Sequence, residues 1–139
     1  MTTEVGIPGK GKAQIGLLPW ACHNLWLIYR HKMHDDILRD KLFPLLKESI
    51  NYYLHFLKEG DDGKLHLPAT YSPEYDTVED CNFDLALLRW GCQTLLESAH
   101  RLSIQDSLIE TWNMCFLNLL LTPQTRMDCL SEKIRRMLL

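Results

Sequence analysis

The chain has 139 residues, of which 46% are hydrophobic and 24% are charged, and its formal net charge is −3. This composition predicts a packed core and excludes a disordered tail. The negative charge argues against a nucleic-acid partner, because nucleic-acid-binding proteins normally carry a basic stripe. The longest apolar run, CFLNLLL, is too short to span a membrane, so no membrane role is predicted.

Cysteine and histidine spacing predicts neither a metal site nor a cofactor. The five cysteines are odd in number and have no C-x-x-C spacing, which indicates isolated thiols rather than a zinc site or a disulfide framework. The cluster of His23, His31, His34, Asp35 and Asp36 lacks the spacing of a metal motif. The N-terminal string MTTEVGIPGKGKAQIG has no apolar core, so we expect no signal peptide, and the localisation is left open.

The first helix is predicted within the string LLPWACHNLWLIYRHKM. Pro19 suits its first turn, because N–H groups there have no partner within the helix. In the next string, HDDILRDKLFPLLKESINYYLHFLKEG, Asp35 or Asp36 is predicted to cap a helix start. Pro44 divides this pattern, which predicts a short helix followed by a longer one that begins near Phe43.

The longer helix is predicted to bury one face and to end at Gly60. Its apolar residues are spaced i, i+4, i+7 and i+11: Leu46, Ile50, Tyr53 and Leu57. An irregular segment follows up to Cys81, and Pro68 and Pro73 exclude a helix from it. Loops longer than about 12–15 residues are usually functional or disordered. Within this segment, KLHL after an Asp-Asp-Gly turn predicts a short hairpin arm.

The next helix has the most regular apolar stripe of the chain: Leu85, Leu88, Cys92, Leu95, Ala99 and Leu102. A last helix is predicted from about Asp106 to the Thr122-Pro123 pair. Its apolar face contains Ile109, Trp112, Phe116 and Leu119. No string has the pattern of a central strand, so the predicted fold class is all-α, built from antiparallel helix pairs.

Four strings resemble the catalytic domain of glycoside hydrolase family 95, the α-L-fucosidase and α-L-galactosidase group. In chain order they are IGLLPWACHNLWLIYRH, LFPLLKESINYYLHFL, LPATYSPEY and DCNFDLALLRWGCQTLLESAHRL. The Gly- and Lys-rich start predicts a loose segment over residues 1–15. The resemblance implies a partial domain over residues 16–122 and an atypical tail over residues 123–139. It also implies that the helix pairs are a fragment of an (α/α)6 toroid of the six-hairpin type, with the active site in the loops at one end.

The family resemblance implies inverting hydrolysis, with Glu74 of the Ser-Pro-Glu string as the general acid. Pro73 restricts both its own φ and Ser72, so Glu74 is expected to be presented rigidly between Tyr71 and Tyr75. An apolar, aromatic setting would raise the pKa of Glu74 and keep it protonated near neutral pH. The substrate in this interpretation is a glycan with α-linked fucose or galactose.

Four further residues are candidates for substrate binding: Tyr75, Asp84, Arg89 and Trp20. Asp84 either binds sugar hydroxyls or complements the dipole at a helix start. Arg89 either pairs with Asp84 or another carboxylate behind the site, or is a solvated helix residue. Trp20 either stacks on a sugar ring or belongs to the core at a helix start.

The chain also departs from the family pattern. The asparagines that activate the water lie upstream of the matching region in the family, and another essential carboxylate lies downstream. After NLLLTP the family continues with a Tyr-Pro and an Asp-Glu-Asn-Gly type of stretch, whereas this chain reads QTRMDCLSEKIRRMLL. A shifted reading frame can spell Ala-Asp-Glu-Asn-Gly-Leu-Leu-Ile-Gly here, so the tail is predicted to be a frameshift product, which the gene sequence would test.

We therefore expect a fragment of an inverting glycoside hydrolase that is inactive alone. An acid without a positioned water stabilises only part of the transition state. The alternative is a small helical protein-interaction module without enzymatic activity, since uncovered helix faces promote self-association. A gene remnant without a present role is a further alternative.

Overall fold

The computed structural model describes residues 14–71 and 77–119, and it is mostly helical with four short strands in that part of the chain. The α-helices are α1 (Leu17–Lys32), α2 (Asp35–Ile37), α3 (Phe43–Leu54), α4 (Asn82–Leu102) and α5 (Ile109–Asn118). A π-helical turn, Leu38–Leu42, joins α2 to α3. The strands are β1 (Lys58–Glu59), β2 (Leu65–His66), β3 (Thr70–Tyr71) and β4 (Thr77–Val78).

Helix α1 begins where the sequence predicted it, with Gly16 as its N-cap and Pro19 buried in its first turn. It ends at Met33, whose backbone is left-handed (φ 55°) and whose N–H donates to the Tyr29 carbonyl. The last turn carries Arg30, His31 and Lys32. These side chains place positive charge beside the negative end of the helix dipole, which stabilises this end.

The segment before α3 differs from its prediction in two details. His34, rather than an aspartate, is the N-cap of α2, and Asp35 and Asp36 lie in its first turn without a capping hydrogen bond. Helix α3 begins at Phe43, as predicted, but Pro44 does not separate it from the preceding segment, because the π-helical turn runs directly into α3. The Phe43 N–H donates to the Leu38 carbonyl, five residues back. A proline offers no N–H and its ring crowds the preceding turn, so a wider turn relieves both problems.

The core lies where α3 and α4 pack against each other, as the two predicted apolar stripes indicated. The stripe residues of the two helices are buried: Leu46, Ile50, Tyr53, Leu85, Leu88, Cys92, Leu95 and Ala99. Gly91 permits a close approach of the helices, because a Cβ at this position would overlap the buried Ile50 side chain. Helix α5 packs against the same core, and its buried Trp112 donates from Nε1 to Asn51 Oδ1 at 3.0 Å.

Two predicted helix boundaries were wrong. Helix α3 ends at Leu54 rather than at Gly60, and Leu57 packs on the core from the connection that leads to β1. Helix α5 begins at Ile109 rather than near Asp106. The Asp106 side chain accepts a hydrogen bond from the Leu108 N–H at 3.0 Å, which holds the chain in a turn before the helix.

The irregular segment contains two small antiparallel hairpins. Strand β1 pairs with β2, which confirms the hairpin arm predicted from KLHL, and Gly63 in the turn has φ 70°. Strand β3 pairs with β4, with Thr70 opposite Val78 and Tyr71 opposite Thr77. Leu65 also forms an isolated parallel bridge with Leu119, just after α5. The irregular segment is therefore attached to the end of the last described helix.

The cysteines of the described residues are free and buried: Cys22, Cys81, Cys92 and Cys115. Burial raises the pKa of Cys22 to about 11, so this side chain is a protonated thiol that packs in the core. Cys129 lies outside the described part of the chain. Residues 14–71 and 77–119 contain no cluster of His, Cys, Asp and Glu suited to a metal ion. No helix among them combines the length and apolarity needed to cross a membrane.

Candidate functional site

The proposed acid Glu74 and the neighbouring Tyr75 lie outside the described residues, in the five-residue connection between β3 and β4. The described part of this hairpin brings the two ends of the connection together, since Tyr71 and Thr77 are paired. Two sets of polar contacts hold the described part of this hairpin, one buried and one at the surface.

The surface contacts close the base of the hairpin at Leu67 and Asp80. The Asp80 N–H donates to the Leu67 carbonyl at 3.1 Å, and the Leu67 N–H donates to Asp80 Oδ1 at 2.8 Å. Asp80 has a left-handed backbone with φ 51°. This conformation is uncommon outside glycine, though aspartate tolerates it better than most residues. The reciprocal pair of hydrogen bonds compensates for its cost.

His66 of strand β2 connects the first hairpin to this base. Its Nδ1 lies 2.7 Å from Asp80 Oδ2, and its Nε2 lies 3.0 Å from Asp62 Oδ1. With a carboxylate at each ring nitrogen, the doubly protonated imidazolium satisfies both contacts. The hydrogen bond to Asp80, and then the one to Asp62, raise the pKa of His66 above its ordinary value. The side chains of His66, Asp62 and Asp80 line an open groove of about 440 Å³, and Lys58, Asp61 and Glu79 also line it.

The buried contacts centre on Asp84, which is 1% exposed and lies in the first turn of α4. Its Oδ1 accepts a hydrogen bond from the Tyr53 hydroxyl of α3 at 2.6 Å. Its Oδ2 accepts one from the Thr70 hydroxyl of β3 at 2.5 Å. The backbone of Gly16 lies close by, since a Cβ there would be 2.8 Å from Asp84 Oδ1. One carboxylate thus joins α3, β3 and α4 beside the start of α1.

The surroundings of Asp84 act on its pKa in opposite directions. Burial raises the pKa, because removal from water disfavours the charged carboxylate. The hydrogen bonds from Thr70, Tyr53 and Cys81 lower it, and burial is the larger effect. Burial and the nearby Asp84 also raise the pKa of Tyr53, so the phenol remains protonated and donates its hydrogen. Both oxygens of Asp84 are therefore occupied by protein hydroxyls.

Arg89 is the eighth residue of α4, and it donates hydrogen bonds to the C-terminal end of α5. Its Nη1 donates to the Phe116 carbonyl at 3.2 Å, and its Nη2 donates to the Leu119 carbonyl at 2.9 Å. The guanidinium also lies over the Phe116 ring, 5.3 Å from the ring centroid. The last carbonyls of a helix lack partners within the helix, so Arg89 caps α5. Among the described residues, these hydrogen bonds go to carbonyls rather than to Asp84.

Trp20 lies near Asp84 but is open to solvent. The side chain is 48% exposed, and its ring meets Phe83 edge to face with centroids 5.5 Å apart. Phe83 directly precedes Asp84 in α4, so Trp20 and Asp84 lie at the same end of the helical body. An exposed indole supported along one edge leaves an aromatic surface available for contact with a ligand.

The sequence did not identify the partners of Asp84. Tyr53 was predicted only as a core residue of the α3 stripe, although a buried tyrosine hydroxyl usually needs a hydrogen-bond partner. Thr70 lies in the irregular segment, where no periodic pattern applies. His66, Asp62 and Asp80 were also missed, because their approach depends on how the two hairpins fold. The signal available in the sequence was Tyr53 itself, because a tyrosine on a buried helix face needs an acceptor for its hydroxyl.

Replacement of Tyr53 by phenylalanine tests the Asp84 contacts. Y53F leaves a buried carboxylate oxygen without one of its donors, so we expect the free energy of unfolding to fall by about 1–3 kcal/mol. The matched control is Y52F, because Tyr52 is the adjacent residue of α3 and is 42% exposed. Urea unfolding of both variants measures the effect, and equal stability of Y53F and Y52F would contradict it.

The His66 contacts predict a pH-dependent contribution to stability. The raised pKa means that this contribution is fully present below about pH 6.5, the ordinary histidine pKa. It is lost as the pH rises through the higher pKa of the folded protein. We expect H66Q to remove this part of the pH dependence of the thermal midpoint. In NMR titrations of the His66 ring, D80N should lower its pKa more than D62N, and an unchanged pKa in D80N would refute the assignment.

Comparison with known proteins identifies the family of this chain. Residues 8–131 match the model of the Glycosyl hydrolase family 95 catalytic domain. A stretch of 72 residues is 33% identical to alpha-L-fucosidase 2 of Arabidopsis thaliana. The alignment covers 49% of the present chain and only 8% of the plant protein. Because the family model matches most of the chain, the chain belongs to glycosyl hydrolase family 95.

Proposed function

We propose that this chain is part of an inverting glycoside hydrolase domain that cleaves α-linked fucose or galactose, with Glu74 as the general acid. Membership of the family and the similarity to a plant protein named alpha-L-fucosidase support the substrate class. The single observation that carries the role of Glu74 is the hairpin β3–β4. Its two paired strands bring the ends of the connection that contains Glu74 together.

In this proposal the helices are a fragment of an (α/α)6 toroid, and the hairpin belongs to the loops at its active-site end. Trp20 and Tyr75 contact the sugar, because an exposed aromatic ring packs well on the apolar face of a pyranose. Asp84 and Arg89 act behind the site rather than on the sugar. Both carboxylate oxygens of Asp84 are engaged by α3 and β3, and both terminal nitrogens of Arg89 are engaged by the end of α5.

The proposed mechanism assigns one half of the reaction to this chain. Glu74 protonates the oxygen of the leaving group while a water molecule attacks the opposite face of the sugar. The acid and the base that activates the water stand about 6.5–9.5 Å apart in inverting enzymes, which leaves room for that water. The family residues that activate the water have no counterpart in the matched strings, so the chain binds the sugar without hydrolysing it.

NMR titration with L-fucose tests this function in the 139-residue chain. We expect L-fucose or L-galactose to shift the resonances of Glu74 and the Trp20 indole, whereas D-glucose leaves them unchanged. The E74Q and W20A variants should weaken the response, because they remove a polar contact and the stacking surface. Hydrolysis of an aryl α-L-fucoside should be absent in every sample.

Two results would contradict the proposal. Equal responses to L-fucose and D-glucose would contradict the proposed specificity for fucose or galactose. If the chain hydrolyses the aryl fucoside and E74Q does so too, Glu74 is not the general acid. If E74Q abolishes that hydrolysis, only the predicted inactivity of the chain is wrong.

A second candidate function is a helical interaction module, which the exposed apolar side chains favour. Each of the helices α1, α3 and α5 exposes large apolar residues: Leu27, Ile28, Leu45, Tyr52, Met114 and Leu117. Such residues promote association when they are contiguous. A defined dimer in light scattering, together with no response to L-fucose, would favour this function over the hydrolase fragment.

A further inference from the structure

We propose that Cys92 of α4 and Cys115 of α5 form a redox site, in which hydrogen peroxide converts the two thiols into a disulfide that ties α5 to α4. The inference is independent of the proposed hydrolase function. Both side chains belong to the buried core, at 0% and 2% exposure, and both are free thiols in the structure. The evidence is the way in which the two helices face each other.

The contacts of Arg89 show how α4 and α5 are aligned. Arg89 lies in the first half of α4 and binds the carbonyls of Phe116 and Leu119 at the end of α5. The turn that joins the two helices lies at their other ends, so the helices are antiparallel. Cys92 is about one helical turn after Arg89, and Cys115 is about one turn before Leu119. The two cysteines are therefore opposite each other.

The two thiols interact, and their surroundings distinguish them. The interaction with Cys92 lowers the pKa of Cys115, burial opposes this effect, and the positive charge of Arg89 adds to it. The same interaction, together with burial, raises the pKa of Cys92. Because the thiolate is the reactive form of cysteine, Cys115 is the nucleophile of the pair and Cys92 keeps its proton.

The reaction with hydrogen peroxide takes two steps. The Cys115 thiolate attacks one peroxide oxygen, so that an S–O bond forms, the O–O bond breaks and hydroxide leaves, which gives a sulfenic acid. The Cys92 thiol then gives up its proton and attacks the Cys115 sulfur, so that the S–S bond forms and the S–O bond breaks. Each hydroxide takes up a proton. Two thiols and one peroxide thus give one disulfide and two waters, and the sulfurs lose two electrons to the peroxide.

The position of Cys115 in the last turn of α5 gives the peroxide access to it. This helix ends at Asn118, and the free energy of local opening is smallest at the ends of elements. Brief opening of one turn exposes Cys115 to a small uncharged oxidant without unfolding the core. Cys22 differs, because it lies within α1 at 0% exposure and burial raises its pKa to about 11.

The disulfide would hold the end of α5 more firmly than the reduced chain does. In the reduced chain the hydrogen bonds of Arg89 hold this end. Leu119, directly after α5, also forms the bridge to Leu65 of β2. A covalent link between the helices excludes many open conformations of the segment that it closes. Oxidation would therefore strengthen the attachment of the hairpin β1–β2 to the helices.

Peptide mapping of the oxidised 139-residue chain tests the pairing. Trypsin places each of the five cysteines in a separate peptide, with Cys92 in residues 90–101 and Cys115 in residues 102–126. After treatment with hydrogen peroxide, blocking of free thiols and digestion without a reductant, we expect these two peptides to be linked. The same treatment in urea should give mixed pairings, because the unfolded chain does not hold the two thiols together.

Single cysteine variants identify the nucleophile. In C92A the Cys115 sulfenic acid lacks its partner, so we expect it to persist and to be trapped by dimedone. C115A should give no sulfenic acid at Cys92, because that thiol keeps its proton. C22A is the matched control, since it removes another buried thiol, and it should form the disulfide at the wild-type rate. The wild-type peptide map carries the test if a variant does not fold.

Hydrogen exchange measures the consequence for α5. We expect the exchange of the α5 amides to slow by about thirtyfold or more on oxidation, which is the lower end of the effect that disulfides usually give. A reductant should restore the original rates. Oxidised C22A should show the same slowing as the oxidised wild type, whereas C92A and C115A should show none.

Three outcomes would overturn the inference. The first is a folded chain whose Cys92 and Cys115 both stay reduced in excess peroxide. The second is a folded chain that gives the same mixed pairings as the chain in urea. The third is a linked chain whose α5 amides exchange at the reduced rate. Trapping of a sulfenic acid at Cys92 in C115A would overturn the assignment of Cys115 as the nucleophile.

Discussion

The described structure depends on the burial of one carboxylate. Removing a carboxylate from water costs several kcal/mol unless hydrogen bonds replace the lost solvation. Asp84 meets this requirement with hydroxyls from α3 and β3, which lie 31 and 14 residues away in the chain. The packing of α3 against α4 and the attachment of the hairpin are thereby linked, since a change in either leaves the carboxylate short of a donor.

The hairpin β3–β4 is held by two kinds of chemistry that respond differently to conditions. The inner contacts are neutral hydroxyls on a buried carboxylate, which bulk salt screens little. The outer contacts are a histidine between two partly exposed aspartates, which respond to both salt and pH. Conditions that loosen the outer contacts therefore leave the inner attachment in place.

The sequence predicted the helices better than the contacts between them. The periodic stripes of α3 and α4 identify the buried faces, because a helix buries residues three and four apart. The end of α3 was misplaced because Leu57 continues the apolar spacing, although it packs on the core from outside the helix. Asp35 or Asp36 was predicted as a cap, whereas neither side chain caps α2, and the Asp35 carboxylate pairs with Arg101 of α4 at 2.9 Å.

In the candidate site, too, the sequence identified residues but not the contacts between them. The family resemblance selected Asp84, and the structure supplies what the resemblance could not, namely the two hydroxyls that occupy it. Arg89 was expected either beside a carboxylate or as a solvated helix residue. It instead binds free helix carbonyls, a partner that periodicity does not distinguish from the others. Contacts between residues far apart in the chain depend on loop geometry, which composition and spacing do not encode.

The π-helical turn before α3 has a consequence for the alignment of the leucines that precede the core. Leu38, Leu42, Leu46 and Ile50 follow one another at intervals of four, and all are buried. In a regular α-helix each interval of four overshoots a full rotation by about 40°, so such a row would wind away from the core. The wider turn between Leu38 and Leu42 reverses this drift once. Deletion of a single residue there would rotate α2 relative to α3 and turn Leu38 toward solvent.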